Sequence, residues 1–275
     1  MADRQERVPA EEVRQRMLDA GRELAVQAGA ALTIEHLRLE EVIQQARVPR
    51  SSVYRLWPYK DDYIDDLLVY LAGPGSWFRS SGAFDPETFE IVQRVIDDNK
   101  DMLATPEGRR AVMCEAARLG AARNYQAFSE SSTWRLHMAL VATLGSTRTG
   151  EARRNIAAAL EESQSKSREN LGALYEYLKG TLGLRERDPA RTIDHMVIAG
   201  GIMIQSFALR NIQTKAAGDL PDAIEVDDLL NRPIPGPGLD GTPAPWTLAA
   251  FSYLALLDAF LEPDPAWSPP EALGQ

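Results

Sequence analysis

Between Leu37 and Leu68 the chain reads LRLEEVIQQARVPRSSVYRLWPYKDDYIDDLL, and this stretch holds the residues best suited to grip a polyanion. Arg47, Arg50, Arg55 and Lys60 fall between Gln44 and Lys60 with no acid among them, so the segment is +4 in a chain of net charge −10. A protein this acidic repels nucleic acid in general. A basic island within it is what a directed contact with double-stranded DNA needs. Arg50 has the forked donors that pair with guanine O6 and N7, and Ser51 and Ser52 reach bases or phosphates. Tyr54 and Lys60 are spaced to hold the flanking phosphates, with Arg38 as a further phosphate contact.

Those side chains must be carried on something narrow enough to enter a groove. Leu39, Val42, Ile43 and Ala46 recur at helical spacing, which predicts a short helix over 39–46. Arg47-Val48-Pro49 breaks it. Pro49 suits the first turn of a second helix, about Pro49 to Leu56, because its missing N–H costs nothing there. That helix buries Val53 and Trp57 and turns Arg50, Ser51, Ser52 and Arg55 outward. Pro58 stops it. Lys60 opens a further helix whose first turn holds Asp61 and Asp62, where the helix dipole favours carboxylates. Helices this short are not stable alone. A crossing pair with an apolar inner face and a basic outer face is the helix-turn-helix design, whose second helix fits the major groove.

These residues resemble the DNA-binding signature of the TetR family of bacterial one-component regulators. The signature is a valine-led turn, an exposed polar pair, Tyr, a spacer, an aromatic, Pro or a polar residue, and Lys. Here it runs through Val48, Ser51-Ser52, Tyr54, Arg55-Leu56, Trp57, Pro58 and Lys60, and the likeness covers about Val13 to Leu71. Two positions depart from it. Arg38 stands where the family has a capping Thr or Ser, which forgoes a side-chain cap of roughly 1 kcal/mol. Arg47 stands where the family has Gly, so the turn must form without glycine's freedom.

Length and composition set the wider frame. The 275 residues, 44% of them apolar, suffice for one or two domains with a substantial core. Cys114 is the only cysteine, so no intramolecular disulfide forms, as suits a reducing cytoplasm. The polar N-terminus MADRQERVPAEE is not a signal peptide. The longest apolar runs, Met196 to Ile204 and Leu248 to Leu257, fall short of the ~18 residues a membrane span needs. Residues 1–60 carry ten Lys/Arg against nine Asp/Glu, and the remainder twenty against thirty-one, so the acidity lies in the C-terminal part. His36, His137 and His195 have no carboxylate or Cys at metal-ligand spacing, and Cys114 has no partner His in a local motif. No nucleophile elbow, zinc-protease motif, P-loop or dinucleotide fingerprint occurs. Neither a catalytic residue, a metal nor a cofactor is expected.

The pattern predicts an all-α protein of two domains, residues 1–72 and 73–275. Pro9 begins a first helix that ends at Ala28 and braces the helix-turn-helix through Val13, Met17, Leu18, Leu24 and Ala25. Gly73 to Phe84 is a boundary. Asp85-Pro86, Thr105-Pro106 and Asp188-Pro189 each read as an N-cap followed by Pro. They predict helices at about 86–103, 106–119 and 189–212, with others at 122–144 and 150–182. No segment alternates for long enough to be a good strand. Residues 215–245 form a Pro/Gly-rich stretch with a short helix at Asp222–Leu230, otherwise extended, mobile or laid along a surface. A final helix, Trp246 to Leu261, precedes a Pro-rich tail, 263–275.

Aromatic and Met side chains are plentiful in the second domain, and on helices they are usually ordinary core. By resemblance, a TetR-like body encloses a largely apolar ligand cavity. The candidates for lining it are Tyr125, Phe128, Trp134, His137, Met138, Tyr175, Met203 and Phe207, with Arg135 and Gln205 as further polar anchors. Met196 to Leu209 and Leu248 to Leu261 are apolar on nearly all sides and are expected to be buried all round. By resemblance they form the four-helix interface of a homodimer; burial within one monomer is the alternative. The expected function is an operator-binding repressor released by a mostly apolar small molecule. A regulator responding to a protein or to nothing, and a helical enzyme, are the rivals. A solidly packed body would favour the first rival, and a catalytic pair in the cavity the second.

Overall fold

A computed structural model describes residues 8–28, 34, 37–74, 85–144, 150–218 and 229–268, and these are mostly helical. The chain divides into two compact units: residues 1–80 with 132–165, and residues 81–131 with 166–275.

In the first unit α1 (Ala10–Ala28) packs on α2 (Leu39–Ala46), α3 (Arg50–Leu56) and α4 (Lys60–Ala72). The apolar faces expected from helical spacing meet here: Val13, Met17 and Leu18 of α1, Val42, Val53 and Trp57, and Tyr63, Ile64, Leu67, Leu68 and Leu71 of α4 are all buried. The core is completed from far along the chain, by Leu136 and Leu140 of α7 (Ser132–Thr143) and by Ile156 and Leu160 at the start of α8 (Gly150–Thr181). Each such side chain adds roughly 1.5–3 kcal/mol when fully buried, which helices as short as α2 and α3 need. The Tyr63 hydroxyl donates to the Met17 carbonyl at 3.0 Å, tying α4 to α1.

In the second unit Asp85 caps α5 (Pro86–Asp98), accepting from the Thr88 amide at 2.9 Å. The helix stops five residues before the expected end, where Asn99 turns its side-chain amide back to the Val95 carbonyl at 2.8 Å. A 3₁₀ turn, Lys100–Ala104, follows. Thr105 caps α6, which runs unbroken from Pro106 to Glu130 through the break expected near residue 120. Gly120 does not end the helix there. A Cβ at that position would lie 2.6 Å from the Val92 side chain, so the glycine lets α5 and α6 approach. The break falls at Ser131 instead.

Asp188-Pro189 does not open a helix. The Asp188 carboxylate accepts from the Ala190 amide at 2.9 Å, making a local turn, and α9 spans Ile193–Gly218. Four short strands also form. β1 (Leu184–Glu186) pairs antiparallel with β4 (Leu261–Pro263), and β2 (Ile234–Pro237) with β3 (Pro243–Trp246). Strands of three or four residues are too short to show a period-two pattern, and prolines argue against a ladder. Here Pro235 faces Pro245 and Pro237 faces Pro243, pairs that exchange no N–H. Trp246 therefore ends a strand, its indole N–H bonded to the Pro237 carbonyl, and α10 (Leu248–Phe260) starts after a Thr247 cap. The tail is laid down as far as Trp267, whose indole N–H reaches the Gly180 carbonyl at 3.1 Å and whose ring lies 5.0 Å from the Arg109 guanidinium. Most of the Gly73–Phe84 boundary, most of the Asp222–Leu230 helix and His36 lie outside the described residues.

Within one chain helix α9 is not buried all round, which goes against the alternative of burial inside a single monomer. Met196, Val197, Gly200, Ile204 and Ala208 are buried, but Ile198, Ile202 and Leu209 are 46%, 63% and 47% exposed. Phe251 of α10 is also exposed. No described helix is long and apolar enough to cross a membrane.

Candidate nucleic-acid interface

The turn between α2 and α3 is built without a glycine. Arg47 adopts φ 53°, ψ 45°, the left-handed region, and is the one non-glycine described residue with positive φ. Its amide donates to the Gln44 carbonyl at 3.3 Å, closing α2. Arg38 precedes α2 and makes no side-chain cap. Pro49 stands one position earlier than the first helical turn: it is the N-cap of α3 (φ −64°), and its carbonyl accepts from the Ser52 and Val53 amides.

Val48, Val53 and Trp57 anchor α3 from beneath. The Trp57 indole N–H donates to Asp66 Oδ2 at 3.0 Å, and Arg14 Nη2 reaches the same oxygen at 3.3 Å. Trp57 also meets Tyr63 edge to face at 5.2 Å. Burial pushes the Tyr63 hydroxyl's pKa well up, so it remains a neutral donor. Arg14 and Asp66 are thus supports of α3 that residue type alone did not suggest, because they lie on α1 and α4.

The opposite side of α3 is open. Arg38, Arg47, Pro49, Arg50, Ser51, Tyr54, Arg55 and Lys60 are exposed, whereas Ser52 is half-buried and offers less of its hydroxyl. Tyr59 precedes α4, its amide bonded to Asp62 at 3.1 Å, which fixes where Lys60 begins the helix.

The electrostatics are less one-sided than the run from Gln44 to Lys60 suggests. Two acids of α2 meet the basic side chains: Glu41 lies 3.6 Å from Arg38, and Glu40 lies 3.0 Å from Arg50. Counted from Arg38, five bases face two acids, a net of +3. Arg50 Nη2 donates to Glu40 Oε1 at 3.0 Å and to Tyr54 Oη at 3.4 Å, and Tyr54 Oη donates to Glu40 Oε1 at 3.4 Å. The guanidinium carbon sits 5.5 Å from the Tyr54 ring centre. Tyr54 first, and then Glu40, hold the Arg50 pKa above its ordinary value. Glu40 is the member of this face that sequence reasoning missed, because an acid is not a phosphate ligand; its place in the first turn of α2 was the available signal.

The residues expected to line a ligand cavity are divided between the units. Trp134 and His137 are buried and Met138 half-buried in the first; Tyr125 and Phe128 are buried, and Tyr175, Met203 and Phe207 half-buried, in the second. Arg135, in the first unit, and Gln205, in the second, are likewise half-buried. Burial drives the His137 pKa down to about 4, so it is neutral at pH 7. In the second unit the Tyr125 hydroxyl donates to Asn231 Oδ1 at 3.1 Å, and Asn231 Nδ2 to buried Asn211 Oδ1 at 3.0 Å. The Tyr175 and Tyr253 hydroxyls meet directly. Cys114 is buried, and burial raises its pKa, which suppresses thiolate chemistry. Among the described residues no group of three or more His, Cys, Asp or Glu is gathered as a metal site.

Comparison with family models, curated proteins and solved structures returns no match for this chain.

Proposed function

We propose that this chain is a TetR-like transcriptional regulator that binds an inverted-repeat operator as a homodimer. In this reading α2 and α3 form a helix-turn-helix in residues 1–72, and α3 enters the major groove. The observation that carries it is the two-faced build of α3: Val53 and Trp57 locked beneath, Arg50, Ser51, Tyr54 and Arg55 exposed above. A seven-residue helix braced this firmly, with its polar side uncovered, suits reading base edges. Arg50 reads a base; Arg38, Arg47, Tyr54 and Lys60 hold phosphates.

The exposed stripe of α9 supports the dimer. A second copy laid on Ile198, Ile202 and Leu209 removes from water the apolar surface that one chain leaves open. Repression, released by a mostly apolar small molecule bound in the second domain, completes the reading. Such a ligand acts only by favouring one spacing of the paired DNA heads; turning a 99% competent population into 1% takes about 5.5 kcal/mol of preference.

Selection of the full chain against a random duplex pool tests the proposal. An inverted repeat should emerge, with half-site centres about 34–36 Å apart. No enrichment from the pool, with a monomer persisting at micromolar concentration, overturns it.

A further inference from the structure

Glu40 places a carboxylate on the face that a duplex would meet, and this is costly unless the carboxylate has a use there. We propose that Glu40 is a specificity-determining residue: it holds Arg50 until a guanine takes its place, and then accepts an amino proton from a neighbouring base, cytosine N4 by preference. The inference rests on the DNA-binding reading above.

The geometry of the Arg50 clasp carries the argument. A guanidinium offers paired donors along two edges, Nη1 with Nη2 and Nε with Nη2. Both edges contain Nη2. In the free chain that atom donates to Glu40 at 3.0 Å and to Tyr54 Oη at 3.4 Å, so the donor common to both edges is already engaged. Arg50 therefore cannot present a complete edge to guanine O6 and N7 while the clasp is closed. A guanine must open it, and a lone phosphate oxygen satisfied by Nη1 or Nε need not. The clasp thus sets guanine apart from backbone contact.

Opening leaves the Glu40 carboxylate against a surface rich in acceptors: phosphate oxygens, N7, O6 and O4. Only the amino groups of cytosine and adenine donate into the major groove. Adenine N6 lies beside N7, an acceptor that repels the second carboxylate oxygen. Cytosine N4 lies beside a C–H, so cytosine is the better partner. Glu40 is more than half exposed and within one helical turn of the α2 start, so no repacking is needed for it to reach outward.

The test compares the wild-type chain, Glu40→Gln and Arg50→Ala in selection from a random duplex pool, with affinities for the selected site and for unrelated duplex. Thermal melting checks that each variant folds. Wild type should require a guanine and a cytosine within each half-site. Glutamine pairs well with adenine N6 and N7, so Glu40→Gln should move the cytosine preference to adenine by about tenfold and leave the guanine preference standing. It should also bind unrelated duplex several-fold more tightly, because one negative charge has left the interface. Arg50→Ala should lose the guanine preference alone. If Glu40→Gln keeps every wild-type preference and the same affinity for unrelated duplex, the inference is wrong while DNA binding stands. If wild type itself selects nothing, the DNA-binding reading fails and takes the inference with it.

Discussion

Among the described residues the outer side of α3 and a stripe on α9 are both exposed, and they are opposites. The outer side of α3 is polar and charged, and its Arg50 is already clasped by Glu40 and Tyr54. The stripe on α9 is mostly hydrocarbon, with Ile202 at 63% exposure and the Ser206 hydroxyl turned back onto the Ile202 carbonyl. A charged face is content in water; its partner must displace both water and an internal ion pair, so binding is selective and sensitive to salt. An apolar face gains from any matching surface, and salt does little to it. In the function proposed above, the first face is the one assigned to reversible recognition and the second the one assigned to self-association.

The largest expected effect breaks the apolar face. Ile202→Glu places a charge in the stripe twice per dimer. Losing one isoleucine burial per copy, roughly 1.5–3 kcal/mol each, should weaken association about 100- to 10,000-fold. Sedimentation should find a folded monomer; a dimer unchanged by Ile202→Glu would show that the stripe is not the interface.

The second effect concerns the first unit's interior and leaves both faces intact. His137 has a native pKa of about 4 against an ordinary 6.5. The unfolded chain therefore binds this proton below about pH 6.5 while the native chain does not, so stability falls as pH drops from 6.5 towards 4. At about 1.4 kcal/mol per pH unit, the loss should reach roughly 3 kcal/mol near pH 4. Urea midpoints at pH 7.5 and 4.5 measure it, and His137→Leu should flatten that difference. Equal slopes in the two proteins would mean that other groups dominate acid unfolding.

The third sharpens the charged face. Arg50→Ala should cost about 1–3 kcal/mol on the selected operator and relax one position. Lys60→Ala should weaken all sequences alike and reduce the salt slope by about one. Exchange of these two phenotypes would reverse the assigned roles.

The smallest is local. Arg47→Gly relieves a left-handed arginine, worth about 1–2 kcal/mol, but gives the unfolded chain more freedom, so a net gain of about 0.5–1 kcal/mol is expected. Denaturant midpoints resolve it. The same variant should bind DNA more weakly if Arg47 holds a phosphate.

The sequence by itself determined the elements whose causes are local. Asp85 and Thr105 announced their helices, because a cap acts on amides three residues away. The spacing of Val53, Trp57, Tyr63, Ile64 and Leu67 announced which faces turn inward, because helical periodicity is a property of neighbours. Arg50, Ser51 and Arg55, outward on α3, followed from the same register, whereas Ser52 is half-buried. Arg47 was legible as a difficulty, since a turn that favours glycine held an arginine, and its φ of 53° is how the chain resolved it. Only the tertiary structure decided what depends on partners distant in sequence. The helix pattern pointed to a break near residue 120, but Gly120 sits inside α6 where Val92 stands against it. Asp188-Pro189 looked like a start until its carboxylate closed a turn on Ala190. Prolines 235, 237, 243 and 245 argued against strands until they faced one another across a hairpin. The apolar run of α9 offers no register of its own, and which of its residues stay exposed in one chain, Ile198, Ile202 and Leu209, is settled by where the other helices pack. Glu40 meets Arg50 for the same reason: ten residues apart along the chain, they are brought within hydrogen-bond reach only by the crossing of α2 and α3.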